Sequence, residues 1–251
     1  MPIIQALDRA LRILDLFDEQ NPELKLTEIS ARMGLHKSTV HALLRTLQIH
    51  GYIEQDEESG KYRLGLRLLE KGQLLLQNLD IRNVARPHLQ ALSDATGQTA
   101  HLLILDGREG VYIDKVEGSQ AAIRYSRIGR RVPLHSSASG KVLAAFQPPN
   151  ALERLLAGYT YVRHTPSTID SEAKFRLELE EVRKAGCAFD REENEPGVMC
   201  IAAPIFGHDG QLVAAMSLSC MTARVDEAEA RRLAERVRKT TAEISARLGH
   251  R

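Results

Sequence analysis

LTEISARMGLHKSTVHALLRTLQIHGY, residues 26–52, decides how the chain reads. Two helical segments flank Gly34-Leu35. In the first, Ile29 and Met33 supply an apolar side, and Thr27 stands where a capping hydroxyl is expected. The second opens at Ser38-Thr39 and sets Val40, Leu43, Leu44 and Leu47 at i, i+3, i+4 and i+7, one stripe to bury. Thr39, His41, Ala42, Arg45, Thr46 and Gln48 are left on the outer face, and Gly51 ends the helix. A short helix, a sharp turn and a second helix with a small, polar outer face is the plan of a helix-turn-helix, whose second helix enters the DNA major groove. An ordinary helical hairpin has the same spacing.

Charge narrows that choice. From Ile29 to Ile53 there is no acidic residue, while Arg32, Lys37 and Arg45 are basic and His36, His41 and His50 can be. Phosphate-facing surface has this local character. The first 65 residues nevertheless hold slightly more acids than bases, so DNA would be met through one selected face. YIEQDEESGKYRLG, residues 52–65, follows: short strands at Tyr52-Ile53 and Lys61–Leu64 around an acidic, Gly-containing turn. This is a wing, with Lys61, Tyr62 and Arg63 at the sugar-phosphate backbone. As a plain hairpin it also closes the small core, burying Tyr52, Ile53 and Leu64. The DNA-facing candidates are His36, Lys37, Ser38, Thr39, His41, Arg45, Lys61, Tyr62 and Arg63.

The chain has 251 residues, enough for two modest domains, and its net charge of +1 says nothing about partners. Residues 4–17 form a supporting helix with Leu7, Ala10, Leu11, Leu14 and Phe17 as its stripe. Residues 66–79 are helical with Leu68/Leu75 and Leu69/Leu76 seven apart and Leu79 beyond. Such a helix is either buried between domains or pairs with its counterpart in a second subunit. After a helix over 83–96 come strands at His101–Leu105, Val111–Val116 and Ala122–Tyr125, then helices at Gly140–Phe146, Asn150–Ala157 and Glu172–Lys184. Strands at Ile201–Phe206 and Leu212–Ser219 and a helix at Asp226–Leu248 complete an α+β domain around an antiparallel sheet. The expected division is 1–65, 66–82 and 83–251.

No apolar run reaches membrane-spanning length and no signal-peptide pattern opens the chain, so a cytoplasmic protein without membrane partners is expected. Cys187, Cys200 and Cys220 are odd in number and widely spaced, which argues against a disulfide framework. None has a Cys or His at zinc-ligand spacing. There is no nucleophile elbow, Gly-rich phosphate loop or metal-binding His pair, so no catalytic residue, metal or cofactor is expected. An enzyme acting on a small organic acid through Cys200, Ser217 or Asp190 is the rival reading.

Three stretches suit a small ligand. In LVAAMSLS, Leu212, Ala214, Met216 and Leu218 share one face and Val213, Ala215, Ser217 and Ser219 the other. The second face leaves space and offers hydroxyls, or simply lets a helix pack close. In HSSASGK, Ser136, Ser137, Ser139 and Gly140 precede an apolar helical segment, where free backbone N–H groups favour an anion such as a carboxylate. Simple N-capping by Ser137 or Ser139 accounts for the same residues, and Lys141 fits either role. Arg124, Arg127, Arg130 and Arg131 just upstream read as a solvated face. In DREENEPGVMC, Asp190 and Cys200 flank an acidic loop of the solvent-facing kind, and Cys200 reads as a small buried residue.

KSTVHALLRTLQIHGYI followed by KYRLG resembles the winged helix of the IclR-type bacterial transcriptional regulators. VPLHSSASGKVLAAF, GCAFDREENEPGVMCIAAPIF and VAAMSLSCMTARV each look like that family's effector-binding domain, in the family's order, so the resemblance covers nearly the whole chain. It implies a winged helix-turn-helix, a linker helix and a C-terminal domain similar to GAF and PAS sensors, assembled as a homodimer or tetramer on double-stranded operator DNA. It also implies that Asp190, Val198, Cys200, Ser217 and Ser219 line an effector pocket closed by Leu134–Gly140, with Ser137, Ala138, Ser139 and Gly140. The detailed text looks most like the regulators of sugar-acid catabolism, such as those of 2-keto-3-deoxygluconate; aromatic and glyoxylate-like acids are effectors elsewhere in the family. Cys220-Met221 departs from the Gly-Pro that often follows Ser-x-Ser, which bears on the local turn.

Overall fold

A computed structural model describes residues 3–18, 20–77, 80–120 and 126–250, and divides the chain into two compact units, residues 1–78 and 79–251. In the first unit, α1 (Gln5–Leu14), α2 (Leu26–Met33) and α3 (Lys37–Ile49) pack over a three-stranded antiparallel sheet of β1 (Glu23–Leu24), β2 (Ile53–Gln55) and β3 (Tyr62–Leu64). The sheet order is β1-β3-β2, and α4 (Arg67–Gln77) follows. Gly34 ends α2 in the left-handed region at φ 64°, a conformation that only glycine adopts without a Cβ clash, and so turns the chain sharply into α3. Val40 and Leu44 are fully buried and Leu43 and Leu47 packed beside them, which is the stripe read from the sequence.

Several local expectations change here. Thr27 does not cap α2; the helix begins at Leu26, and Glu28 reaches back 2.6 Å to the backbone N–H of Lys25. On α1 the buried residue is Ile13, with Phe17 just past the helix, whereas Leu7 and Leu11 are 57 % and 54 % exposed. The α1 stripe is therefore split: Leu14 and Phe17 pack on the core, Ala10 is half-buried, and Leu7 and Leu11 face outward. Leu64 is likewise 43 % exposed, although it shares a strand face with the buried Tyr62; it stands at the end of β3. Strand β1 was not read from the sequence; two residues are too few for a pattern, and only pairing with β3 makes them a strand. On α4 Leu68 is half-buried and Leu69 exposed; the side chains of Leu75, Leu76 and Leu79 lie outside the described set.

The second unit is a six-stranded antiparallel sheet in the order β6-β5-β4-β9-β8-β7. Its strands are β4 (Thr99–Asp106), β5 (Glu109–Val116), β6 (Arg131–Pro133), β7 (Ala188–Arg191), β8 (Val198–Phe206) and β9 (Leu212–Met221). Its helices are α5 (Asp80–Thr96), α6 (Ala138–Ala145), α7 (Pro149–Leu156), α8 (Glu172–Ala185) and α9 (Glu227–Arg247). One sheet face carries Ala100, Leu102, Ile201, Ala203, Met216 and Leu218 under α5 and α9. The opposite face carries Leu103, Ala202 and Ala215 under α6, with Phe175, Leu179 and Val182 of α8 behind. Asp114 on β5 is fully buried and ties α5 to the sheet through Arg86 (2.5 Å) and Arg82 (3.5 Å).

The parity of β9 is as expected from Ala214 to Ser219, but not at Leu212. A register shift between Ile205 and Phe206, where Phe206 pairs with Leu212, swings Leu212 onto the α6 face. The expected strand over Ala122–Tyr125, and Arg124 within it, lie outside the described residues. Strand β7 was read as part of a loop; it is an edge strand whose register sets Asp190 directly opposite Cys200. Among the described residues no helix is long and apolar enough to cross a membrane, and no cluster of His, Cys, Asp and Glu is spaced to hold a metal ion.

Candidate functional site

In the first unit the outer face of α3 is built by default. With Val40 and Leu44 inward, the helical period leaves Ser38, His41 and Arg45 exposed and Thr39 half-buried, with His36 and Lys37 exposed at the start of the helix. Among the described residues neither Lys37 nor Arg45 has an acidic side chain within ion-pair distance. The wing differs. Lys61 lies 3.5 Å from Glu23 and Arg63 3.2 Å from Glu54, both exposed pairs of the kind worth little in water and readily exchanged for phosphate. Tyr62 is corrected: it is 3 % exposed, pairs across β1 and β2 and belongs to the core, and burial raises its hydroxyl pKa. A strand between two neighbours can offer only alternate residues outward, so the wing presents Lys61 and Arg63 but not the tyrosine between them.

In the second unit the three ligand-suited stretches meet on one face of the sheet. Antiparallel pairing sets Asp190, Cys200, Ser219 and Thr99 in one row across β7, β8, β9 and β4. The adjacent row is Ala188, Ala202, Ser217, His101 and Lys115. Val198 lies two residues before Cys200 on the same side of β8. The Cys200 thiol is 3.2 Å from Ser219 Oγ. Cys200 and Tyr112 are only half-buried, yet burial pushes both their pKa values well up, with Asp190 adding to each. Asp190, Ser217 and Ser219 beside them are buried. A thiol held that far toward its neutral form is a poor nucleophile.

Above the sheet, the β6–α6 loop and α6 come close. Ser137 caps α6: its Oγ accepts from the Gly140 N–H at 3.1 Å and donates to the Pro133 carbonyl at 2.6 Å. Gly140 is required there. A Cβ would stand 2.3 Å from the Pro133 carbonyl oxygen and 2.6 Å from the Leu134 Cα, so any side chain would lift the helix off its loop. Leu134, Ala138 and Ser139 are buried, and the Leu134 N–H donates to Tyr159 Oη at 3.0 Å. Capping by Ser137 is thus present, and it takes the Gly140 N–H of the first turn.

Lys141 settles between its two sequence readings in favour of structure. Its ammonium is buried and donates to Glu178 (2.8 Å), Glu193 (2.7 Å) and the Phe189 carbonyl (2.8 Å). It thereby joins α6 to α8, to β7 and to the acidic loop. That loop is only partly solvent-facing. Glu193 is buried, its N–H donates to Asp190 Oδ1 at 2.7 Å, and Ser136 Oγ donates to Asn194 Oδ1 at 3.1 Å. Glu192, at φ 61°, is the non-glycine residue in the left-handed region among those described, a strained position beside a candidate site. Burial pushes the Asp190 carboxyl up to about 7, against the two loop N–H groups that favour its charged form. A separate recess of about 590 Å³ lies beside the β6–α6 loop, lined by Pro133, His135 and Tyr159 among others; none of Asp190, Cys200, Ser217 and Ser219 lines it.

The sequence reading does not include His101, Tyr112 or Glu193 in this site. His101 opens an apolar run, HLLIL, and looks like a strand start; its place beside Ser217 follows only from the β4–β9 register. Its Nε2 lies 2.7 Å from Ser126 Oγ, and burial, with Lys115 nearby, lowers its pKa to about 3, so the ring is neutral.

A winged helix-turn-helix joined to an antiparallel sheet domain with a polar patch on one sheet face defines a DNA-binding protein with a sensor-type domain. Comparison with known proteins makes the assignment narrower. Residues 6–57 match the IclR helix-turn-helix domain and residues 73–246 the C-terminal domain of the bacterial transcriptional regulator IclR. The chain belongs to the IclR family of bacterial transcriptional regulators. It is 53 % identical to the HTH-type transcriptional regulator XynR of Escherichia coli over 250 residues, covering 100 % of this chain and 99 % of that one. It is 37 % identical to the HTH-type transcriptional regulator KdgR of Escherichia coli, with 98 % and 94 % covered. Among solved structures it is similar to an IclR homologue from Microbacterium hydrocarbonoxydans complexed with 4-hydroxybenzoate, at 26 % identity, 97 % and 98 % coverage and a TM-score of 0.83.

Proposed function

We propose that this regulator binds operator DNA as a homodimer or higher symmetric oligomer, and that a small carboxylate, best fitted by a sugar acid, sets its affinity. The observation that carries the effector reading is the half-buried Cys200 at the centre of a polar patch on the α6 face of the sheet. Ser217, Ser219, Asp190 and Tyr112 supply hydroxyl and carboxyl groups around it, and the α6 start supplies N–H groups suited to an anion. A hydroxylated acid uses both halves: its carboxylate meets the helix start, and its hydroxyls meet the serines and Asp190. Leu134, Ser137, Ala138, Ser139, Gly140, Val198 and Cys200 complete the proposed lining. The similar structure holding 4-hydroxybenzoate supports a second reading, an aromatic acid, which would need more apolar wall than this row of serines offers.

On the DNA side, His36, Lys37, Ser38, Thr39, His41 and Arg45 form the proposed major-groove face, with Lys61 and Arg63 on the backbone. The outward Ile4, Leu7 and Leu11 of the α1 region, and Leu69 of α4, favour a second copy as the cover for that apolar surface. The effector acts by population shift: it binds one arrangement of the assembly more tightly, and operator geometry makes affinity sensitive to the separation of the two α3 helices. The test is a titration of the intergenic DNA beside its own gene at fixed salt, repeated with sugar acids, aromatic acids and glyoxylate. Specific binding altered by a sugar acid is the expected result. No preference over random DNA at matched salt would overturn the operator reading. Specific binding altered only by an aromatic acid would overturn the sugar-acid one.

A further inference from the structure

His101 is fully buried, and its Nδ1 has no hydrogen-bond partner among the described residues. Buried polar atoms without partners are uncommon, and each calls for a reason. This one has polar as well as apolar side chains on its own sheet face. It shares a sheet face with Thr99, Ser217 and Ser219, directly across from Ser217 on the neighbouring strand. Lys115, its cross-strand partner on the other side, is already engaged by Glu117 and the Ser126 carbonyl, at 2.8 and 2.7 Å. The Tyr112 ring flanks it at 5.0 Å. Ser126 holds Nε2, so the ring cannot swing to satisfy the other nitrogen without losing that bond.

The row of Asp190, Cys200 and Ser219 ends at Thr99, and the adjacent row sets Ser217 beside His101, so the polar patch extends diagonally from β7 to β4. Cys200 on β8 and His101 on β4 are separated by two strand spacings, roughly 10 Å across the sheet. We infer that His101 is a specificity-determining residue that receives the hydroxyl end of the effector, remote from its carboxylate, so that the site selects acids by chain length. The inference rests on the sugar-acid reading above. A neutral imidazole with Nε2 committed to Ser126 offers either a donor or an acceptor at Nδ1, according to tautomer. A hydroxyl suits both, because it donates and accepts; a carboxylate suits only one. A two- or three-carbon acid is shorter than the roughly 10 Å between Cys200 and His101, whereas a longer polyhydroxy acid spans it.

The experiment is calorimetric titration of the full-length protein with aldonic acids of three to six carbons, for the wild type, His101→Leu and His101→Asn. The wild type is expected to gain about tenfold or more in affinity between the short and long members, the size of step seen when a ligand hydroxyl satisfies a buried polar group. His101→Leu is expected to abolish that step and leave the three-carbon acid within about twofold, and His101→Asn, with a polar group near the Nδ1 position, to restore part of it. A length step of wild-type size in both variants would overturn the proposal, as would an equal loss at every length with an unchanged melting profile. If the leucine variant does not fold, the asparagine variant decides: a reduced step supports the role and a full step refutes it. Wild-type protein that binds no aldonic acid while binding its operator would refute the sugar-acid reading itself, and this inference with it.

Discussion

Replacing Lys141 with Met tests the arrangement that holds the candidate effector site together. The substitution keeps the length of an apolar stem and removes an ammonium that is 1 % exposed and makes three hydrogen bonds, at 2.7, 2.8 and 2.8 Å. Two carboxylates stay behind. Glu193 is 11 % exposed at its side chain, with Oε2 already unpartnered, and Glu178 is 34 % exposed. Removing one partner of a buried ion pair typically costs about 3–5 kcal/mol, because the charge left behind is desolvated and uncompensated. For a unit of this size that is roughly 6–20 °C of melting temperature, at about 2–4 °C per kcal/mol. Burial already raises the Glu193 pKa against the pull of Lys141, and losing the cation raises it further. Protonation would then relieve the strain, so the deficit of the variant should shrink as the pH is lowered. The assay is urea unfolding of the wild type, Lys141→Met and Lys141→Met/Glu193→Gln across neutral to mildly acidic pH. The double variant should recover at least half of the loss. A single-variant loss under about 1 kcal/mol, the range of an exposed pair, would refute the claim that this network is a buried structural element.

Two further predictions follow from the same observations. In the folded protein Asp190 titrates at about 7 rather than the ordinary 3.8, so the native state binds this proton more tightly than the unfolded chain does. Its contribution is therefore fully favourable below the unfolded value and is lost as pH rises toward 7, at up to about 1.4 kcal/mol per pH unit. Asp190→Asn should flatten that part of the stability-versus-pH curve and also make binding of an anionic effector less dependent on pH; identical curves for both proteins would count against it. On the DNA side, Arg45→Ala should leave unfolding within about 0.5 kcal/mol of wild type, since the side chain is exposed. It should also weaken operator binding; if Arg45 meets phosphate, the log-affinity against log-salt slope falls by about one per protomer, and if it meets a base edge, specificity at one position relaxes. Unchanged affinity and unchanged slope would remove Arg45 from the proposed face.

What the sequence by itself determined was local and periodic. The α3 stripe, the sharp turn at Gly34, the wing, the α+β order of the second unit and the two alternating faces of β9 from Ala214 to Ser219 all follow from spacings of a few residues, because helical and strand periods act over that range. Contiguous text also carried the family resemblance. What only the tertiary structure decided was pairing and enclosure. Asp190 and Cys200 stand opposite each other because β7 and β8 pair in one particular register, and His101 joins Ser217 because β4 pairs with β9. Neither register is written in the spacing of either strand alone. Burial settled the remaining roles in the same way. Tyr62 and Lys141 carry groups that read as surface chemistry, yet both are enclosed, one in the core of the first unit and the other by two carboxylates brought from α8 and the β7–β8 loop. Leu7 and Leu11 read as core and face outward, because a unit this small fills its interior before its first helix has used its stripe.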